Sequence, residues 1–340
     1  MFILRNVVTD DLHDLYKLSG LFTFINLPHD EEILKKKIDR SIACFKSPSK
    51  NLSNNYYIFV LENTDSGEVI GVSIIHAQHG DEHEPHFFLK VSTEEKYSET
   101  INTGFVHGTL KLGFDTNGPT EIGGLVLHPN FRNNEFKLGK QVSFVRFLYM
   151  SIFPEKFKQF VHSELLPPFD KNGKSPLWEA IGRRFLNMDY NDADILSRSN
   201  KEFILSLYPS ENIYQTLLPM DARNAIGKVG PETEPVKRML ENVGFKYTQE
   251  VDPFDGGPHF RCKLKEITPI KNKIMGIYDK KLKFNSSKAE EVLLKIPSKK
   301  YDFLAIKTKI YRKKNLISID EKIANTYKVK DKAELFAIPF

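Results

Sequence analysis

Residues 121–146 read EIGGLVLHPNFRNNEFKLGKQVSFVR, and the reading of this stretch decides the fold. The apolar run 122–127 has the aliphatic, β-branched content of a strand, a short polar loop opened by Arg132 follows, and an amphipathic helix starts near Gly139. A strand running through a basic loop into a helix N-terminus creates a pocket of backbone N–H groups and positive charge. Such a pocket suits a pyrophosphate. An ordinary strand-turn-helix of an α/β protein has the same order of elements, so the flanking sequence must decide between the two.

Residues 1–8 alternate like a strand, and Thr9-Asp10-Asp11-Leu12 caps a helix whose Leu12, Leu15, Leu18 and Leu21 share one face. Residues 56–62 and 68–77, separated by Asn63-Thr64-Asp65-Ser66-Gly67, read as an antiparallel hairpin. Late in the chain, 235–244 is a helix stopped by Gly244 and followed by a strand over 245–251.

These elements, in this order, resemble the acyl-CoA N-acyltransferases of the Gcn5-related type. There the strand corresponding to 122–127 holds the pantetheine of CoA, and the loop and helix start hold its pyrophosphate. The usual loop pattern is Arg or Gln, two residues, Gly, one residue, then Gly or Ala. This chain has Arg132-Asn133-Asn134-Glu135-Phe136-Lys137-Leu138-Gly139-Lys140, which keeps the second glycine and lengthens the spacing. The resemblance implies an α+β fold and assigns the acyl-CoA contacts to Leu125, Val126 and Leu127, then Arg132, Lys137, Leu138, Gly139 and Lys140.

Longer runs narrow the resemblance. Ser175-Pro176-Leu177-Trp178, Gly182-Arg183-Arg184-Phe185, Met188-Asp189-Tyr190 and Phe254-Asp255-Gly256-Gly257-Pro258 look like signature runs of the arginine N-succinyltransferase family. So do Asn212-Ile213-Tyr214, Ile226-Gly227 and Pro231-Glu232-Thr233, and the tail segments 301–308, 316–323 and 330–338 are similar to that family's C-terminal region. Membership would imply transfer of succinyl from succinyl-CoA to the α-amino group of arginine in arginine catabolism, with ornithine accepted by some members. Leu125 falls on the family's succinyl-CoA-contacting leucine, and core packing is the alternative reading of the same residue. In the family a histidine proton donor precedes Pro-x-Thr, whereas this chain has Gly230 before Pro231.

An α-ammonium must lose a proton before it attacks a thioester, and the carbonyl oxygen then gains charge that backbone N–H groups stabilise. The thiolate leaves with little acid help, since a thiol pKa is about 8.5. A missing acid is therefore easier to tolerate than a missing base. Glu121 is the candidate base, as related acyltransferases use an acidic residue near this strand, and His128 at the strand end is the second candidate. A solvated carboxylate at a strand start is the plainer reading of Glu121.

Recognition of a guanidinium calls for carboxylates, and Glu164, Asp189 and Asp255 lie in or beside the matching runs. Each is equally a cap or turn residue by default. His76, His79, His83 and His86 are concentrated among Asp81, Glu82 and Glu84 at spacings that permit metal binding. Gly80 and Pro85 make that segment a loop, and the family resembled needs no metal, so no metal is expected. The loop is expected to edge the acceptor pocket, with Phe87 and Phe88 as walls.

At 340 residues the chain exceeds one minimal acyltransferase core. The expected organisation is a core over 1–268 with a mostly helical insertion at about 155–232, then a small, basic, strand-rich module over 271–340. Residues 271–340 carry 18 Lys and Arg against 8 Asp and Glu, while 1–270 carry 31 against 36. The aromatics of the basic tail, Tyr301, Phe303 and Tyr311, fit alternating strands rather than a nucleic-acid stacking platform, so no nucleic-acid partner is expected. Cys44 and Cys262 are the only cysteines, and neither a secretory signal nor a membrane-spanning run is evident. Free thiols and cytoplasmic residence are expected, with no membrane association.

The favoured function is an acyl-CoA:amino-acid N-acyltransferase that uses succinyl-CoA or another acyl-CoA as co-substrate and holds no tightly bound cofactor. The other is a non-catalytic or altered-specificity homologue, or a partner subunit, that binds acyl-CoA or an amino acid, since Gly230 replaces the family histidine. Homo- and hetero-oligomers are both compatible with the residues.

Overall fold

A computed structural model describes residues 1–21, 27–197 and 200–340. In chain order its strands are β1 (Phe2–Asn6), β2 (Tyr56–Asn63), β3 (Glu68–His76), β4 (His86–Ser98), β5 (Thr103–Asp115), β6 (Thr120–Leu127), β7 (Phe160–Glu164), β8 (Ile213–Tyr214), β9 (Lys246–Val251), β10 (Pro258–Lys263), β11 (Ile274–Tyr278), β12 (Glu290–Lys295), β13 (Leu304–Lys313), β14 (Leu316–Ile319) and β15 (Glu334–Pro339). Three helices, α1 (Leu12–Gly20), α2 (Glu31–Lys46) and α3 (Leu138–Ile152), belong with the first strands. The chain divides into two compact units. One comprises Met1–Gln78, Thr120–Gln159 and Lys263–Phe340, and the other His79–Pro119 and Phe160–Cys262.

In the first unit β1, β2, β3 and β6 are antiparallel neighbours, with the expected hairpin between β2 and β3. Alternation along β2 sends Tyr56, Ile58 and Val60 to the side of α1 and α2, where they join Leu15, Leu18, Leu34 and Ile38. Tyr57 and Phe59 point the other way and meet Tyr149 of α3, with ring centroids 5.0 and 5.3 Å away. Helix α3 is buried over nearly its whole surface from Leu138 to Ser151 rather than amphipathic, because β12 and β15 pack on it as well as β3 and β6.

The C-terminal strands run β12-β15-β11-β14-β13, and β12 also pairs with β13, so five strands close on themselves around Val292, Leu294, Ile306 and Leu335. Closure removes their free edges. Ala305 of β13 is in register with Leu4 of β1, which covers the β1 edge of the first sheet. Contacts therefore group 271–340 with the N-terminal strands, where sequence reading drew a separate module.

The second unit is a sheet in the order β7-β10-β9-β4-β5-β8. Its helices lie at 178–186, Tyr190–Ser197, Glu202–Leu207, Met220–Ala225 and Glu234–Asn242, but the segment expected to be a helical insertion from about 155 opens on the strand β7. Strands β4 and β5 pair over thirteen residues, from His86 opposite Asp115 to Ser98 opposite Thr103. Phe87 and Phe88 thus stand on a strand rather than in a loop, and Phe87 is buried with Leu89, Trp178 and Phe254. Cys44 and Cys262 are both buried free thiols.

Candidate active site

The pairing of β3 with β6 slips between Val72 and Ile74. Val72 faces Val126 while Ile74 faces Gly123, so Gly124 and Leu125 together stand opposite Ser73. This is a β-bulge, which takes backbone groups out of the ladder and bends the strand. Gly124 has φ +53°, and a Cβ there would come within 2.4 Å of Ile74 Cδ1, so glycine is required by backbone and neighbour alike. Leu125 is half-buried immediately after it, and Val126 and Leu127 return to the ladder.

The buried Arg146 of α3 supports the bulge from below. Its Nη1 donates to the Gly123 carbonyl at 3.3 Å and its Nη2 to Ser143 Oγ at 2.7 Å, and burial pushes its pKa down to about 9. This positioning residue was missed in the sequence: Arg146 shares a helix face with Val142, and only packing shows that this face meets the bulge.

Beyond β6, Arg132 Nε donates to the Leu127 carbonyl at 3.3 Å, while Gln141 Nε2 donates to the Phe136 carbonyl at 2.9 Å and ties the loop to the helix. Lys137 precedes α3 with φ +54°, a left-handed conformation that glycine adopts more easily. Counting back from Gly139, Lys137 stands where Gly-x-Gly would put the first glycine, which accounts for the departure seen in the sequence. No side chain caps α3, so the amides of Leu138, Gly139 and Lys140 project from its start. Lys137 and Arg132 are exposed, whereas the Lys140 ammonium sits over the rings of Phe144 and Phe340 at 4.7 and 4.5 Å. Burial, then the charges of Lys137 and Lys307, lower the Lys140 pKa.

Glu121 is buried at the start of β6. Tyr56 pairs with His76 across β2 and β3, and His76 with Glu121 across β3 and β6, so the three side chains stand in a row on one face. Burial, then the Glu121 charge, push the Tyr56 phenol pKa up, and Lys37 Nζ donates to Tyr56 Oη at 3.3 Å. His128 lies after the strand, where its Nδ1 accepts the Asn130 amide at 3.3 Å and helps form the turn.

In the second unit, His162 and Glu164 are two residues apart on β7 and so point to the same side, next to His259 on the neighbouring β10. His86, at the start of β4, completes the group. Glu164 Oε1 lies 3.1 Å from His86 Nε2, 3.3 Å from His162 Nε2 and 3.8 Å from His259 Nε2. Burial pushes the Glu164 pKa up, but hydrogen bonds from His162 and His86 outweigh it and hold the carboxyl well below its usual range. Burial takes His86 down to about 4 and His259 well below its ordinary value. His79 Nε2 also lies 3.9 Å from Glu164 Oε1 and its ring packs on that of His86, whereas His83 is exposed and outside this group. His162 and His259 were missed, although His162-Ser163-Glu164 carries the alternation of a strand face.

Asp255 is buried, its Oδ1 accepting the Gly257 amide at 2.7 Å. Asp252 accepts the amides of Phe254 and Asp255 at 2.7 and 3.0 Å. Burial first, then neighbouring carboxylates, push Asp252 up to about 7 and Asp255 well above its usual range. Asp189 is exposed and ion-paired with Arg183, apart from this acidic group. The Gly230 amide donates to the Leu166 carbonyl at 2.9 Å, and a Cβ on Gly230 would lie 2.9 Å from the Pro167 carbonyl oxygen. Replacing it with histidine therefore requires the backbone to shift.

A strand, a basic loop and a helix start are the parts that the sequence resemblance described, and the structure adds the bulge and the uncapped helix end. Residues 2–269 match the family described as arginine N-succinyltransferase beta subunit. The chain belongs to the arginine N-succinyltransferase family. A relative from Enterobacter sp. (strain 638) named arginine N-succinyltransferase is 34% identical over 276 residues, covering 80% of this chain and 78% of that protein. The protein of the same name from Shigella dysenteriae serotype 1 (strain Sd197) is 33% identical with the same coverage. The solved arginine/ornithine succinyltransferase subunit AI from Pseudomonas aeruginosa superposes with a TM-score of 0.83 at 25% identity, covering 100% of this chain and 98% of that one. The fold is thus the α+β fold of that solved succinyltransferase subunit, and this member of the arginine N-succinyltransferase family is an N-acyltransferase. The non-catalytic alternative is not favoured by these matches. No described helix is long and apolar enough to cross a membrane.

Proposed function

We propose that the chain transfers the succinyl group of succinyl-CoA to the α-amino group of arginine. The observation that carries this reading is the Gly124–Leu125 bulge feeding an uncapped α3, in a chain that matches the family over residues 2–269. Backbone groups of Leu125, Val126 and Leu127 hold pantetheine, while Arg132, Lys137 and the amides of Leu138, Gly139 and Lys140 hold the pyrophosphate. The neutral amine attacks the thioester carbon, forming the C–N bond, and the carbonyl oxygen takes up negative charge that the bulged backbone is placed to stabilise. Collapse breaks the C–S bond and releases CoA thiolate, which needs no acid.

Glu121 receives the proton lost by the amine, directly or through water, and His128 is the second candidate for that role. Of the three acceptor carboxylates considered, Asp255 fits the guanidinium best. Burial and neighbouring carboxylates raise its pKa, and an adjacent cation favours its charged form. Asp189 is already held by Arg183, and Glu164 Oε1 by imidazoles. No tightly bound cofactor is required by this chemistry. Cytoplasmic residence and assembly of the chain into an oligomer complete the proposal; the P. aeruginosa protein is described as a subunit.

A thiol-release assay with succinyl-CoA and a panel of amino acids tests the reading. Arginine should give the fastest release, with ornithine the nearest competitor. Absence of release with every amino acid, at a CoA affinity retained by calorimetry, would replace the enzyme with a binding homologue.

A further inference from the structure

Three imidazoles and a carboxylate converge in the second unit with no role in the transfer just described. The ligand-capable atoms of His86, His162, His259 and Glu164 all lie within 4.8 Å of one another. We propose that these four residues form a binding site for one divalent transition-metal ion of zinc's borderline class, a property beyond the proposed acyl transfer.

Geometry supports it first. With metal–ligand bonds of about 2.0 Å, the edge of a coordination tetrahedron is about 3.3 Å. The separations from Glu164 Oε1 to the Nε2 atoms of His86, His162 and His259 are 3.1, 3.3 and 3.8 Å. Small rotamer adjustments close that gap. His259 supplies the second observation: it is fully buried, yet neither ring nitrogen has a hydrogen-bond partner. A buried polar ring without a partner is costly, and a metal bond to Nε2 would give one of its nitrogens a partner.

The chemistry of the donor set agrees. Imidazole nitrogens with one carboxylate favour zinc-like ions over magnesium or calcium, which select oxygen. Glu164 is 29% exposed while the three rings are at most 2% exposed, so the ion would be held from inside and reachable from one side. Four protein donors fill a tetrahedral shell, as in a closed site. The Nδ1 atoms of His86, His162 and His259 lack hydrogen-bond partners, so the site is without the outer acceptors that tighten the strongest zinc centres.

The full chain would be equilibrated with Zn²⁺ alone, dialysed against metal-free buffer and measured by plasma mass spectrometry. About one ion per chain is expected, removable by chelator, with an X-ray absorption first shell of nitrogen and oxygen near 2.0–2.1 Å and imidazole scattering. His259→Gln and His162→Gln should each weaken binding at least about tenfold, while His83→Gln leaves it unchanged. Far less than one ion on the native chain, sulfur in the first shell, or full affinity in folded His259→Gln and His162→Gln variants would overturn the assignment. A native chain that holds far less than one ion overturns the assignment even where a variant fails to fold, and no readout depends on transferase activity.

Discussion

Gly124→Ala is the sharpest perturbation of the acyl-CoA element. Its backbone sits at φ +53°, where any residue with a Cβ incurs about 1–2 kcal/mol. The new methyl would also lie 2.4 Å from Ile74 Cδ1 and 3.0 Å from its Cγ1, and Ile74 is buried in the core under α1 and α2. Repacking an overfilled core typically adds about 1–3 kcal/mol, so a retained bulge predicts a total loss of about 2–5 kcal/mol in urea denaturation. The strand can escape by ironing the bulge out. Residues 125–127 would then slip by one position and turn their side chains to the opposite face, which should cut CoA affinity by tenfold or more in calorimetry. Gly139→Ala is the control, because its Cβ meets nothing closer than Leu127 Cδ2 at 3.9 Å, and Ala there should be neutral or slightly stabilising. Native stability together with native CoA affinity in Gly124→Ala would refute the reasoning.

Glu121→Gln should lower turnover by about 10²-fold or more while leaving acyl-CoA affinity nearly unchanged, and steady-state kinetics that show intact turnover would move the base elsewhere. Lys137→Ala should weaken CoA binding by about 1–3 kcal/mol, and Lys140→Ala by less, since the Lys140 ammonium is already engaged by Phe144 and Phe340; calorimetry that ranks them the other way would contradict the geometry. Asp252 binds its proton more tightly when folded than its ordinary value near 3.8 allows, so its contribution to stability is present below about pH 4 and lost as pH rises towards about 7. Asp252→Asn keeps an oxygen for the Phe254 and Asp255 amides and should flatten that fall, read as urea midpoints between pH 4 and 8.

The strand-loop-helix from Glu121 to Arg146 was legible because its signals are local: an apolar run, a basic loop and a helix that follows at once. The hairpin β2–β3 was legible for the same reason. The bulge was not, since a register slip depends on which residues of β3 lie opposite, and alternation within β6 alone does not reveal it. The histidine group was hidden by distance along the chain, with Glu164 78 positions after His86. Local spacing pointed instead to His83, which the fold leaves in solvent. Helix α3 was misjudged as one-sided because the strands that cover its outer side, β12 and β15, arrive more than a hundred residues later. The acidic residues show the same limit: Asp189 and Asp255 look alike in sequence, and only packing separates an exposed ion pair from a buried carboxyl.

Incubating the chain with succinyl-CoA and arginine, and locating any new acyl group by tandem mass spectrometry, tests the central claim most directly. The account predicts free CoA and an arginine carrying one succinyl group on its α-nitrogen, with the guanidinium untouched. Unmodified arginine and intact succinyl-CoA, or a succinyl group on any other nitrogen, would contradict it.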